Sequence, residues 1–191
     1  MKKNLVKVMV AAMAFAAALA MTSCANPAGS TPANTPAGGS ESKFDLGLTS
    51  MDGWGKYDIS DKSATGFTMK STGAQALNDC GGADITFGTA KKVTFKVTNN
   101  ASEECWMQVI IKKDGAEGSG TRITSASIDG TNVDGDITWG VNTTIAAGAS
   151  KVFVLNLTGT DADKFVFSLN SNADNSKTSG NVTISEAYMY K

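Results

Sequence analysis

Trp106 and Gln108 stand two residues apart in Cys105-Trp106-Met107-Gln108-Val109-Ile110-Ile111-Lys112. In an extended chain that spacing puts an indole and an amide on one face. A flat aromatic beside an amide suits a sugar, which offers an apolar C–H face and a rim of hydroxyls. Trp54 and Tyr57 make a second candidate pair. They sit in and just after the Gly-rich stretch Asp52-Gly53-Trp54-Gly55, which predicts a loop that presents both rings to a ligand. Trp139, Asn132 and Arg122 are candidate neighbours. Each tryptophan also has a packing reading. Trp139 would share a strand face with Ile137 and point to the core, and Trp106 fits either role.

Other chemistry is poorly supplied. The 191 residues include no histidine. That removes the usual general base near neutral pH, the Ser-His and Cys-His nucleophile pairs and the commonest zinc ligand. Carboxylates are plentiful but fall in turns: Asp114, Asp129, Asp134, Asp161, Asp163 and Asp174. Glu103 and Glu104 are adjacent and so point to opposite faces of a strand. No strand carries the alternating acids that would line a cleft for glycoside hydrolysis. The expectation is that the protein is not an enzyme. Asp129-Gly130-Thr131-Asn132-Val133-Asp134-Gly135-Asp136 offers oxygen ligands of the kind calcium takes, but not in the EF-hand order. A structural calcium is therefore one reading, and Asp-Gly turns without metal are the other.

The N-terminus reads as an address. Lys2, Lys3 and Lys7 precede an apolar run from Val8 to Met21. The run is shorter than the ~20 residues that a membrane-spanning helix needs. This is the pattern of a secretory signal peptide over residues 1–23. Met21-Thr22-Ser23-Cys24 resembles a bacterial lipobox, which implies lipidation of Cys24 as the mature N-terminus. Membrane attachment would then come from the lipid anchor alone, in the cell envelope and by expectation at the outer membrane. Cleavage lowers the 17 basic residues by three to 14, against 18 acidic ones, a balance of −4. That charge gives no reason to expect nucleic acid as a partner. With Cys24 lipidated, Cys80 and Cys105 remain. An even pair in an exported chain predicts a disulfide closing a loop of about 25 residues, worth ~3–4 kcal/mol on the chain-entropy model.

Residues 24–43 read as the lipidated cysteine and a flexible linker, holding Pro27, Pro32 and Pro36 and no large apolar side chain. Residues 44–191 read as one domain. Its apolar residues alternate with polar ones in short β-branched runs. Strands are predicted over 83–87, 92–98, 105–112, 121–128, 136–141, 151–157, 164–169 and 181–190, with weaker ones over 44–48 and 66–70. Gly, Asn, Asp and Ser clusters separate them. The fold class is all-β, a sandwich or barrel, behind a signal peptide and a disordered linker. In the strand over 105–112, Cys105, Met107, Val109 and Ile111 form one face. If that face is the core one, Trp106, Gln108, Ile110 and Lys112 face outward.

Phe44-Asp45-Leu46-Gly47 followed by Gly53-Trp54 resembles the opening of galactose-binding-like jelly-roll carbohydrate-binding modules. Gly73-Ala74-Gln75-Ala76-Leu77 is similar to their small-residue strand. Ser150 to Leu157, Lys164 to Asn170 and Asn181 to Tyr188 resemble their late strands. The resemblance implies the same fold, an antiparallel β-sandwich of jelly-roll type, and a polysaccharide or oligosaccharide partner. In that family the Gly-Trp pair commonly packs under the sheet, which implies a structural place for Trp54. The expected function is non-catalytic glycan binding by an envelope lipoprotein. The alternative is a structural or interaction lipoprotein, an adhesin or an assembly subunit, with no glycan ligand.

Overall fold

The computed structural model describes residues 41–55, 57–71, 81–114, 121–158, 161–169 and 180–191. The chain divides into two units, Met1–Gly38 and Gly39–Lys191. The described residues all lie in the second. The expected signal peptide, Cys24 and most of the expected linker lie outside them, as do Cys80 and residues 73–77.

The described residues form strands β1 (Lys43–Asp45), β2 (Asp52–Gly53), β3 (Tyr57–Ser63), β4 (Gly66–Ser71), β5 (Gly81–Asp84), β6 (Lys92–Asn99) and β7 (Cys105–Lys112). Then follow β8 (Ile123–Ile128), β9 (Thr131–Asn132), β10 (Val141–Ile145), β11 (Ser150–Leu157), β12 (Lys164–Leu169) and β13 (Gly180–Tyr190). They build two antiparallel sheets. The first has the order β3-β4-β13-β6-β11-β8-β9, with β1 also on β13; the second has the order β10-β7-β12-β5-β2. From β4 to β8, and again from β9 to β13, each strand lies in the sheet opposite its predecessor. This alternation builds a jelly-roll sandwich.

Alternation along the strands decides what lies between the sheets. In β6 and β7 every second residue is buried. Phe95 of β6 stacks on Phe153 of β11 at 4.8 Å between centroids and meets Phe165 of β12 edge-on at 5.8 Å. Phe67 of β4 meets Phe167 of β12 edge-on at 6.0 Å. The two edge-on contacts join one sheet to the other.

Two sequence expectations are corrected here. Residues 136–140 are a turn and not a strand. The Asp136 carboxylate accepts the Thr138 N–H and hydroxyl, the Gly140 N–H donates to the Ile137 carbonyl, and Gly140 sits at φ 104°. Local side-chain and backbone bonds win there over a period-two pattern. Tyr57 starts a strand, β3, and does not sit in a presenting loop.

Candidate functional site

The outward face of the second sheet is built from five strands, of which β7 and β10 alternate more buried with more exposed residues. On β7, Trp106, Gln108, Ile110 and Lys112 are half-buried, while Cys105, Met107, Val109 and Ile111 are fully buried. On β12, Val166 is buried but stands apart from the core cluster that holds Phe165 and Phe167. It therefore lies on the outward face, beneath cover. Register then assembles rows across the sheet. Gly82, Val166 and Ile110 are successive partners on β5, β12 and β7, with about 5 Å between strands. Ser168, Gln108 and Asn142 form the next row, and Trp106 pairs with Thr144 beyond it.

Each end of the Gly82–Ile110 row carries a tryptophan. At one end, a Cβ placed on Gly82 would meet the Trp54 ring at 3.2 Å. The indole therefore lies on the bare glycine backbone, and any larger residue would displace it. Trp54 keeps 37% of its surface exposed. At the other end Gly140 packs against Ile110, and the neighbouring Trp139 is 64% exposed. The Gln108 side-chain amide donates to the Trp139 carbonyl at 2.8 Å, which fixes that turn to β7. Trp139 is thus an exposed residue and not a core one. Exposed Asn142 and Thr144 continue the polar strip along the edge strand.

This edge is held from below. Asn99 is fully buried, and its side-chain NH2 donates to the carbonyls of Glu103, Ile145 and Ala146 at 2.8, 3.0 and 3.2 Å. Its Oδ1 accepts the Ala101 N–H. One amide thus ties the end of β6, the loop into β7 and the end of β10 together, and so positions Trp106 against Thr144.

The arrangement can hold a flat, hydroxyl-rich ligand: indole surface for its apolar faces, amides and hydroxyls for its rim. No protein family matches the chain, and no curated protein matches it in sequence. Its structural neighbours include carbohydrate-binding modules. A mutant of the family 29 module CBM29-2 complexed with cellulohexaose aligns over 78% of this chain and 91% of that one, at 9% identity and TM-score 0.44. The family 29 module CBM29_1 from Piromyces equi aligns over 79% and 91%, at 8% identity and TM-score 0.42. The CBM22-1 and GH10 modules of Clostridium thermocellum xylanase 10B, complexed with xylohexaose, align over 79% of this chain and 28% of that one, at 8% identity and TM-score 0.43. At such identities none of them supplies a residue correspondence for this face.

The other sequence candidates fall elsewhere. Tyr57 is corrected: its ring is 5% exposed, in the core, and its hydroxyl donates to the Leu169 carbonyl at 2.8 Å. Replacing Tyr57 with Phe removes that buried bond. The expected result is a loss of about 1 kcal/mol in denaturant unfolding, with ligand binding unchanged; a binding defect would return Tyr57 to the site. Arg122 is held by Asp161 through two parallel bonds of 2.8 and 2.9 Å. That bond pushes the Asp161 carboxyl below its ordinary range and the guanidinium above its own. Asn132 is on β9 of the first sheet. Cys105 is buried at the first position of β7, and no disulfide occurs among the described residues.

The far rim of the face is charged and paired. Lys164 reaches Asp84 at 2.8 Å and Asp114 at 3.6 Å. The hydrogen bond to Asp84 is the main cause of its raised pKa. Lys113 pairs with Asp163, which lowers that carboxyl in turn. In the turn over 129–136, Asp129 accepts the Val152 N–H at 2.8 Å and Asp136 is bound by Thr138. No group of three or more acidic or cysteine side chains that could hold a metal ion occurs among the described residues. Asp129 and Asp136 thus each accept a backbone N–H.

Proposed function

We propose that the domain is a non-catalytic glycan-binding module, taking a polysaccharide or oligosaccharide on the outward face of its second sheet. The observation that carries this reading is the strip formed by Trp106, Gln108, Asn142 and Thr144 on β7 and β10, flanked by the exposed Trp139. Trp106 supplies the stacking surface. The amides of Gln108 and Asn142 and the Thr144 hydroxyl address ligand hydroxyls. Trp54, laid on Gly82, extends the aromatic surface towards the other edge. We propose further that Cys24 bears a lipid anchor, and that the intervening segment lets the module reach glycans of the cell envelope.

The test is affinity electrophoresis of the full chain through gels containing neutral polysaccharides: cellulosic, xylan, mannan and α-glucan polymers. At least one polymer retards the wild-type protein. Trp106→Ala keeps the parent circular dichroism spectrum and loses ten-fold or more in affinity, about 1.4 kcal/mol. Mobility unaffected by every polymer, or equal retardation of the variant, would sink the proposal and favour a structural or interaction role.

A further inference from the structure

The outward face of the first sheet carries features that glycan binding on the second does not use. Lys43, Tyr190 and Lys92 are register partners on β1, β13 and β6, and Asp45, Tyr188 and Thr94 form the next row. Between Ser185 and Tyr188 the ladder of β13 is broken by a bulge, with Glu186 at φ 53°. Positive φ is uncommon and strained for a glutamate. The bulge restores the alternation one residue late: Ala187 and Met189 go inward, and Tyr188 and Tyr190 come out. Bulges that re-aim side chains are frequent beside binding sites.

Beside the bulge lies an open cavity of about 150 Å³, lined by Lys43, Thr94, Lys96, Val152, Tyr188 and Tyr190 and by the Glu186 of the bulge itself. That volume accommodates a single six-membered ring. Val152, paired with Lys96, is 46% exposed and gives the cavity an apolar wall. The ammonium of Lys43 lies 3.5 Å from the centroid of the Tyr188 ring, and that of Lys92 lies 4.3 Å from Tyr190. Lys92 also pairs with Glu41. Lys43 and Lys96 have no ion-pair partner among the described residues. Two lysines outside any ion pair, one held in place over a tyrosine, therefore outnumber the single carboxylate of Glu186 around a ring-sized space with hydroxyl donors.

We propose that this cavity is a second saccharide site, specific for a sugar that carries a carboxylate or sulfate group. The sugar ring rests between Val152 and the tyrosines. Its anionic group meets Lys43 and Lys96, and the Thr94 and tyrosine hydroxyls bind its remaining oxygens. A flat anionic membrane would need a raised basic surface, whereas these charges line a recess. The site is independent of the tryptophan strip and lies on the opposite sheet. The domain can therefore hold two chain segments at once, with the gain in avidity that linkage brings.

The test uses the full chain in gels containing polygalacturonate or dextran sulfate, with flotation on phosphatidylglycerol vesicles as a parallel arm. At least one of the two polymers retards the wild-type protein. Lys96→Gln and Tyr188→Ala weaken that retardation ten-fold or more. Lys62→Gln, which removes a lysine from β3, and Trp106→Ala leave it unchanged. Lys96→Gln also leaves retention by neutral polysaccharide unchanged, which separates this site from the one on the second sheet. The proposal is overturned by any of four results. These are no retardation by either polymer, an equal loss in Lys62→Gln, a loss in Trp106→Ala, or vesicle binding without polymer binding.

Discussion

Phe95→Ala lowers the unfolding free energy by about 3–5 kcal/mol, the cost of emptying a fully packed aromatic site. Phe95 is 1% exposed and touches both halves of the sandwich. It faces Phe153 as its direct register partner, their rings 4° from parallel, and it meets Phe165 of the opposite sheet nearly perpendicularly at 89°. Removing the ring therefore opens a void between the sheets, where neither can move to fill it. The strands on either side are pinned by their own ladders. For a domain with a total stability of roughly 5–15 kcal/mol, that is a large share. Denaturant titration checks it: the midpoint falls with little change in slope, because the surface exposed on unfolding is nearly the same. Phe95→Leu costs less, since it leaves part of the contact. A loss below about 1 kcal/mol for the alanine variant would mean that the two sheets do not depend on this junction.

Much of this junction is legible in the sequence. β7 and β12 have the bounds that alternation predicts, and β6 runs one residue further than the predicted 92–98. A strand buried on one face must alternate, so the pattern gives both the element and its orientation. Trp106 and Gln108 on the outward face follow from the same reasoning. What the pattern could not supply was the neighbours. Asn142 and Thr144 belong to Val141-Asn142-Thr143-Thr144-Ile145, where only the two ends are apolar and buried. A polar edge strand has too few buried positions to alternate visibly. β3 was hidden for the same reason, since of its residues only Tyr57 is buried. The one local clue to β10 was a pair of β-branched apolar residues four apart, with threonines between them. The position of Trp54 over Gly82 depends on register between strands far apart in sequence, which no local pattern encodes.

Gly140→Ala is the substitution that most directly couples the fold to the proposed site. At φ 104° this position is in a region that side chains other than glycine's rarely adopt, worth about 1–3 kcal/mol in strain. Space is also lacking. A Cβ there would lie 2.5 Å from the Val109 carbonyl oxygen and 2.7 Å from the Ile110 side chain. The Ile110 contact is with a side chain and can be relieved by trimming it; the carbonyl contact is with the backbone of β7 and cannot. The turn must therefore pull away from β7, carrying Trp139 and the start of β10 with it and breaking the Gln108 amide's bond to the Trp139 carbonyl. The expected result is a destabilised but folded domain whose retardation by neutral polysaccharide falls ten-fold or more. Adding Ile110→Ala should not restore binding, because the backbone clash remains. Gln108→Ala, which cuts the tether but leaves the glycine in place, should give a milder binding loss and little change in stability. Full binding by Gly140→Ala would show that β10 and Trp139 are not part of the site, and would confine it to the Trp106 side of β7.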